Sequence, residues 1–381
     1  MTQHTSPADQ QSVRRHNLGL IVAAVSEQAG SRADLSGRTG LTKATVSSLV
    51  DALLAQGILV EGEAPTPRVG RPARPVSLNP AGPPALGLEI NVDYLAACLL
   101  DLTGEVRQHR QVSIDNRQRS SSEIVAQLIE LARSLTLPAH LLGAALAVPG
   151  VVGSDRSLVR APNLPRLTGE PLGRWLEDGL GLTGIGVDNE ANFGALGCQR
   201  GLRAGADFVY VSGEIGVGAG LVVNGALFRG ASGFAGELGH VVVQQDGPTC
   251  GCGGRGCVEQ YAGQDVLVRA AGVADPVALE AAVASGSSEA LAAVRSAGTA
   301  LGVGLASLLN VVDLPSVVLG GLYARLFDAI TPSLQEELDR RVLAGRRVDL
   351  LASLVGSDAA VFGAAGAVVE AALRDPAALA F

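Results

Sequence analysis

One lysine, Lys43, serves the whole 381-residue chain, and it has only five cysteines and five histidines. Charged residues make up 17% against 47% hydrophobic, a balance that excludes a disordered chain and allows large buried cores. The N-terminus, MTQHTSPADQQSVRRHN, lacks the apolar stretch of a secretory signal. No uninterrupted apolar run is long enough to span a bilayer, so no membrane partner is expected. The length is too great for one ordinary core, and two or three domains are expected.

The formal charge of −8 is uneven. Residues 1–80 carry seven arginines and Lys43 against six acidic side chains, which leaves −10 on the remainder. A mildly basic head on an acidic body suggests that only the head meets a polyanion.

Three helical stretches fit the head. Residues 14–29 place Leu18, Ile21, Val22 and Val25 at helical spacing. Ser31 opens a short second helix that stops at Gly40, and Thr42 caps a third that runs to about Ala55. A glycine corner between short helices suits a helix-turn-helix. Thr42, Lys43, Thr45 and Ser47 near the start of the third helix are candidate DNA contacts, small donors and one cation able to reach base edges and phosphates. Arg68, Arg71 and Arg74 follow in RVGRPARP between two short strand-like runs. That pattern predicts a winged helix, with Arg71 held stiffly between Gly70 and Pro72 and suited to a minor groove. The plainer alternative is a small helical bundle with a charged linker.

Beyond residue 85, strand-like and helix-like stretches alternate. Strands are predicted at 86–92, 95–102, 143–148, 208–212, 219–223 and 316–319, and helices at 121–136, 261–271, 287–309 and 322–341. Mixed order of this kind indicates an α/β body of two lobes with a cleft.

Between Gly236 and Glu259 the chain reads GELGHVVVQQDGPTCGCGGRGCVE. His240, Cys250, Cys252 and Cys257 lie within eighteen residues of a sequence that is poor in both residue types. Three thiolates and one imidazole are the ligand set of a closed structural Zn2+ site. Thiols kept for a metal point to a reducing compartment, so a cytoplasmic protein is expected. Cys98 and Cys198 sit in apolar surroundings and read as buried thiols.

The GELGH and CGCGGRGCVE stretches resemble the signatures of the ROK family of sugar kinases and sugar-responsive regulators. A winged helix before such a body resembles the xylose-repressor-type branch. The resemblance implies an α/β fold: an N-terminal winged helix-turn-helix, then a two-lobed actin-like ATPase body. The domains expected are a head at 1–80, a first lobe at 85–200 and a second lobe at 201–359, with a helix at 360–381 packed back on the first. Sugar contacts map onto Asn163, Asn189, Glu190, Glu237, His240 and Glu259. Carboxylates and amides can pair sugar hydroxyls, which are costly to bury unpaired. Cap and turn chemistry is the plainer reading of Asn189 and Asn192.

The kinases of the family carry Asp-Gly-Gly-Thr and Gly-Thr-Gly-Ile-Gly phosphate loops. This chain has Glu89-Ile90-Asn91-Val92-Asp93-Tyr94 and Glu214-Ile215-Gly216-Val217-Gly218 instead, and Glu190 where they have a catalytic aspartate. Side chains and negative charge at both loops oppose phosphate binding. The expectation is a non-catalytic sugar sensor: a repressor that binds a two-fold operator as a homodimer or higher homo-oligomer. The alternatives are an active ATP-dependent sugar kinase with an appended DNA-binding head, a regulator governed by a protein partner, and an activator.

Overall fold

The computed structural model describes residues 10–63, 74–201 and 207–379. The head begins with α1 (Gln10–Glu27), α2 (Arg32–Thr39) and α3 (Lys43–Ala55). Ser31 and Asp34 form a reciprocal capping box at the start of α2, and Gly40 ends it in the left-handed region at φ 72°. The Thr42 hydroxyl accepts from the Thr45 amide and caps α3. Leu35, Val46, Val50 and Leu53 interlock with Ile21 and Val22 of α1 as one small core. Arg32 pins the assembly, ion-paired to Asp51 of α3 and to Glu61 of β1, both at 2.7 Å. Strands β1 (Leu59–Glu61) and β2 (Val76–Leu78) pair antiparallel as the base of a wing. Arg68 and Arg71 lie outside the described residues; Arg74 is exposed beside β2.

The body is built from one unit used twice. The first runs β3 (Ala85–Ile90), β4 (Tyr94–Leu100), β5 (Val106–Ser113), α4 (Ser121–Arg133) and β6 (Gly143–Val148). A small hairpin, β7 (Val151–Val152) and β8 (Leu158–Arg160), precedes α5 (Leu172–Leu180), β9 (Gly186–Asn189) and α6 (Glu190–Gly201). The second runs β10 (Phe208–Gly213), β11 (Val217–Val223) and β12 (Ala226–Phe228), then helices α7 (Glu259–Ala262), α8 (Gln264–Ala270), α9 (Pro276–Ala284) and α10 (Ser288–Val312). It closes with β13 (Ser316–Gly320), α11 (Gly321–Arg325), α12 (Phe327–Arg341), β14 (Asp349–Ala352) and α13 (Ala359–Arg374).

The strand orders are β5-β4-β3-β6-β9 and β12-β11-β10-β13-β14. In each sheet the first three strands are antiparallel and the last two add in parallel. The predicted strands recur within a few residues. The helices predicted at 261–271 and 322–341 are each broken, at Gly263 and at Leu326. Strands β9 and β14 and the helices α5 and α6 were not foreseen.

The last helix of each unit packs on the other unit's sheet. Ala191, Ala195 and Cys198 of α6 lie against Phe208, Tyr210 and Val222 of the second sheet. Val361, Ala365 and Val369 of α13 lie against Ala85, Ala96 and Cys98 of the first. The two helices cross with their backbones touching: a Cβ on Gly363 would overlap the Phe193 carbonyl, and one on Gly197 the Ala359 carbonyl. The end of α13 also carries the head, through an Arg15–Asp375 ion pair and through Leu373 and Leu379 against the head's core. By length and composition α10 and the helix ending at Arg374 would pass for membrane spans, but each is about half buried within the body.

Gly363→Val should therefore force the crossing apart and cost on the order of 3 kcal/mol in urea denaturation. Gly37→Ala, in α2 with open space around it, should instead gain up to about 1 kcal/mol. Equal effects of the two would contradict the close crossing.

Candidate ligand cleft and metal centre

Between the two sheets lies a cleft of about 670 Å³, counting the open space at its mouth. Asn163, Asn189, Glu190, Glu237, His240 and Glu259 all line it, drawn from a span of 97 residues. Asn163 follows β8, Asn189 and Glu190 join β9 to α6, Glu237 and His240 flank a single 3-10 turn, and Glu259 opens α7. That turn is set by Gly236, at φ 99°, which lies on the Ala219 carbonyl where no Cβ fits. Leu238 then points into the core, so Glu237 and His240 remain at the cleft.

The polar groups differ in what they have free. The Asn189 amide donates to the Gly150 carbonyl at 2.7 Å, and its oxygen accepts from the Ala191 amide at 2.8 Å. It caps α6, as the plainer reading held. The Glu190 Oε2 is buried without a hydrogen-bond partner among the described residues. Burial, reinforced by Glu89 and Glu214, raises the Glu190 pKa well above the ordinary glutamate value. Glu237 is raised by burial too, with His240 opposing and Glu259 adding to it. The junction between β9 and α6 is held by a feature sequence reasoning missed. Buried Asp188 takes Arg229, from beyond β12, at 2.7 and 2.9 Å, and also accepts from Asn192.

The metal cluster adjoins this cleft. One ligand atom from each of His240, Cys250, Cys252 and Cys257 lies within 4.8 Å of all the others. Cys250 Sγ is 3.7 Å from His240 Nδ1, and Cys252 Sγ is 3.7 Å from Cys257 Sγ. A tetrahedron with Zn–S bonds of about 2.3 Å has edges of about 3.8 Å, so the donor set fits a tetrahedral ion. All five cysteines are free thiols, Cys98 and Cys198 buried apart from this group. The other ring nitrogen of His240, Nε2, faces Glu237 at 3.9 Å on the cleft side. Glu259 reaches both ways, with Oε1 3.8 Å from Cys250 Sγ and its other oxygen at Gly216 beside Asn163. One loop thus carries four candidate metal ligands and turns three polar groups to the cleft.

Behind the cleft lies a region of different character, formed by the two equivalent hairpin tips, β3–β4 and β10–β11. Glu89 is 1% exposed, and the Tyr94 hydroxyl donates to its Oε1 at 2.6 Å. Burial pushes the Glu89 carboxyl up to about 7, against hydrogen bonds from Tyr94 and Asn91 that hold it down. Glu214 at the other tip is pushed up to about 8 by burial and by Glu89, with Arg325 opposing. Ile215, beside it, packs into the first sheet's core, and Gln264 hydrogen-bonds Asp93 across the gap. The lobes meet here through an apolar plug ringed by carboxyls. Thr42 and Lys43 of the head are exposed, whereas Thr45 and Ser47 are half-buried and Thr45 bonds back to Thr42.

Comparison with known proteins places this geometry. The model of the ROK family matches residues 85–371. A protein named xylose repressor from Bacillus spizizenii is 30% identical over 95% of this chain and 97% of its own. An N-acetylmannosamine kinase from Escherichia fergusonii is 31% identical over 74% of this chain and 96% of its own. A ROK family transcriptional regulator described as a homolog of the E. coli MLC protein matches with a TM-score of 0.79 at 22% identity, over 95% and 97% of the two chains. A ROK family glucokinase from Streptomyces griseus, solved with glucose and AMPPNP, matches with a TM-score of 0.66 at 26% identity, over 74% and 98%. The regulators extend over the head; the kinases cover a share that the body alone would fill.

Folded Glu214 keeps its proton to about pH 8, against 4.5 for an ordinary glutamate. The folded chain binds the extra proton between those values, so stability is lost as pH rises through that window and is level above it. Glu214→Gln should match the parent near pH 4.5 and gain on it up to about pH 8. Urea denaturation across this range measures the difference, and a pH-independent offset would contradict the buried carboxyl.

Proposed function

This chain belongs to the ROK family, and from that premise we propose that it is a DNA-binding transcriptional repressor released from its operator by a sugar. The observation that carries the reading is the contrast between the cleft and the hairpin tips behind it. The cleft collects amides, carboxyls and an imidazole able to pair a ring of hydroxyls. The hairpin tips set Glu89, Glu214 and the Ile215 plug where a kinase would cradle phosphates. A nucleotide's phosphates entering there would meet side chains in a space already occupied. Loss of transfer activity with retention of sugar binding follows, and a xylose repressor similar over nearly the whole chain supports it.

The sugar's hydroxyls would pair with Asn163, Glu190, Glu237, His240 and Glu259, with Asn189 fixing the start of α6 beneath them. The buried Oε2 of Glu190 is the acceptor with most to gain, because it lacks a partner until a hydroxyl arrives. His240, Cys250, Cys252 and Cys257 would hold zinc, which when bound makes the loop one rigid frame. His240 would give Nδ1 to the metal and turn Nε2 to the ligand.

In the head, Thr42, Lys43, Thr45 and Ser47 would enter the major groove from the start of α3, and Arg68, Arg71 and Arg74 would follow the adjacent backbone and minor groove. A homodimer would match a two-fold operator. Sugar releases DNA only if it binds the non-operator arrangement of the lobes more tightly.

A sugar panel in a thermal-shift assay should yield at least one pentose or hexose that raises the melting temperature, since saturation at 100 times Kd adds about 2.7 kcal/mol. ATP with that sugar should give no sugar phosphate; clear phosphorylation would favour the kinase alternative. Arg71→Ala should weaken operator binding and lower its salt slope by about 1 while leaving the sugar shift intact. Unchanged operator affinity would remove Arg71 from the interface.

A further inference from the structure

The β7–β8 hairpin grows from the first sheet but leans on the second lobe. The Ser154 amide donates to the Ser232 carbonyl at 3.1 Å, and Gly233 lies against the Val152 carbonyl. At the end of β8, Arg160 Nη2 donates to the Gly251 carbonyl at 3.0 Å. Gly251 stands between the candidate ligands Cys250 and Cys252. Three residues after Arg160 comes Asn163, in the cleft.

Three thiolates and a neutral imidazole around a divalent zinc would leave the metal centre with one net negative charge. A guanidinium on the carbonyl between two thiolates is placed to balance it. We propose that Arg160 is a positioning residue that clasps the first lobe's hairpin to the metal-loaded loop and thereby sets Asn163 against Glu237, His240 and Glu259. The clasp makes metal occupancy a control on lobe closure, in addition to holding the loop's own shape. It rests on the sugar-cleft reading only for what the closure serves; the clasp itself is a relation between Arg160 and the loop.

Hydrogen exchange of the hairpin amides tests this on the full-length protein. With zinc bound, the hairpin should be protected, and both chelation and Cys252→Ser should speed its exchange by roughly fivefold. Arg160→Ala with zinc still bound should exchange as fast as the chelated parent, and chelating it should add little further. Arg160→Lys should recover part of the protection and lose it with rising salt. Zinc content measured beside each sample separates loss of the clasp from loss of the metal. Full hairpin protection in zinc-loaded Arg160→Ala would overturn the proposal, as would effects of Arg160→Ala and chelation that simply add. If no sugar binds the parent while the hairpin still responds to zinc, the sugar reading fails and the clasp stands.

Discussion

Where α6 and α13 cross, Gly363 and Gly197 let one helix backbone rest on the other, and most of the molecule's geometry descends from that contact. Each helix leaves its own sheet and packs on the other, so neither lobe is complete alone. Helix α6 starts at Asn189 and Glu190 in the cleft. Helix α13 starts beside the second sheet, at Asp358, which also acts on Glu89, and it ends under the head, where Asp375 meets Arg15. A change in the angle between the lobes must move the crossing, and the crossing is tied by rigid helices to both the ligand groups and the DNA-binding head. Close-packed backbones have few intermediate arrangements, which favours discrete states over gradual bending.

The duplication explains why a second group of carboxyls lies behind the cleft. Equivalent hairpin tips face each other across the pseudo-symmetric body, and in this chain both carry carboxyls. Burial raises both carboxyls, Glu89 to about 7 and Glu214 to about 8, which eases the repulsion between them. Ile215 packs against the first sheet's core at the same place. The open space lies beside the metal loop, where Glu190 retains unused hydrogen-bonding capacity.

Much of this was legible in the chain. His240, Cys250, Cys252 and Cys257 are close in sequence, so their meeting needed only one loop. Strands with strong apolar runs, such as 143–148, announced themselves. The six cleft residues are different: no periodicity relates Asn163 to Glu259, and the family resemblance alone brought them together. Helix α6 was hidden because Asn189-Glu190-Ala191-Asn192 reads as a turn, and the turn is real, serving as the cap. The Asp188–Arg229 pair, the Ile215 plug and the Arg160 contact depend on two sheets closing on each other, which local pattern does not encode. The arginines at 68 and 71 fall outside the described residues, so the wing's tip stands on sequence alone.

The central claim is that a sugar in the cleft governs the head. Fluorescence anisotropy of a DNA site selected from random sequence by the purified protein tests it most directly, titrated with the sugar that raises the melting temperature. This sugar should lower DNA affinity at least tenfold in the parent and leave it unchanged in Glu237→Gln. A sugar that binds the cleft yet leaves DNA affinity untouched in the parent would contradict it.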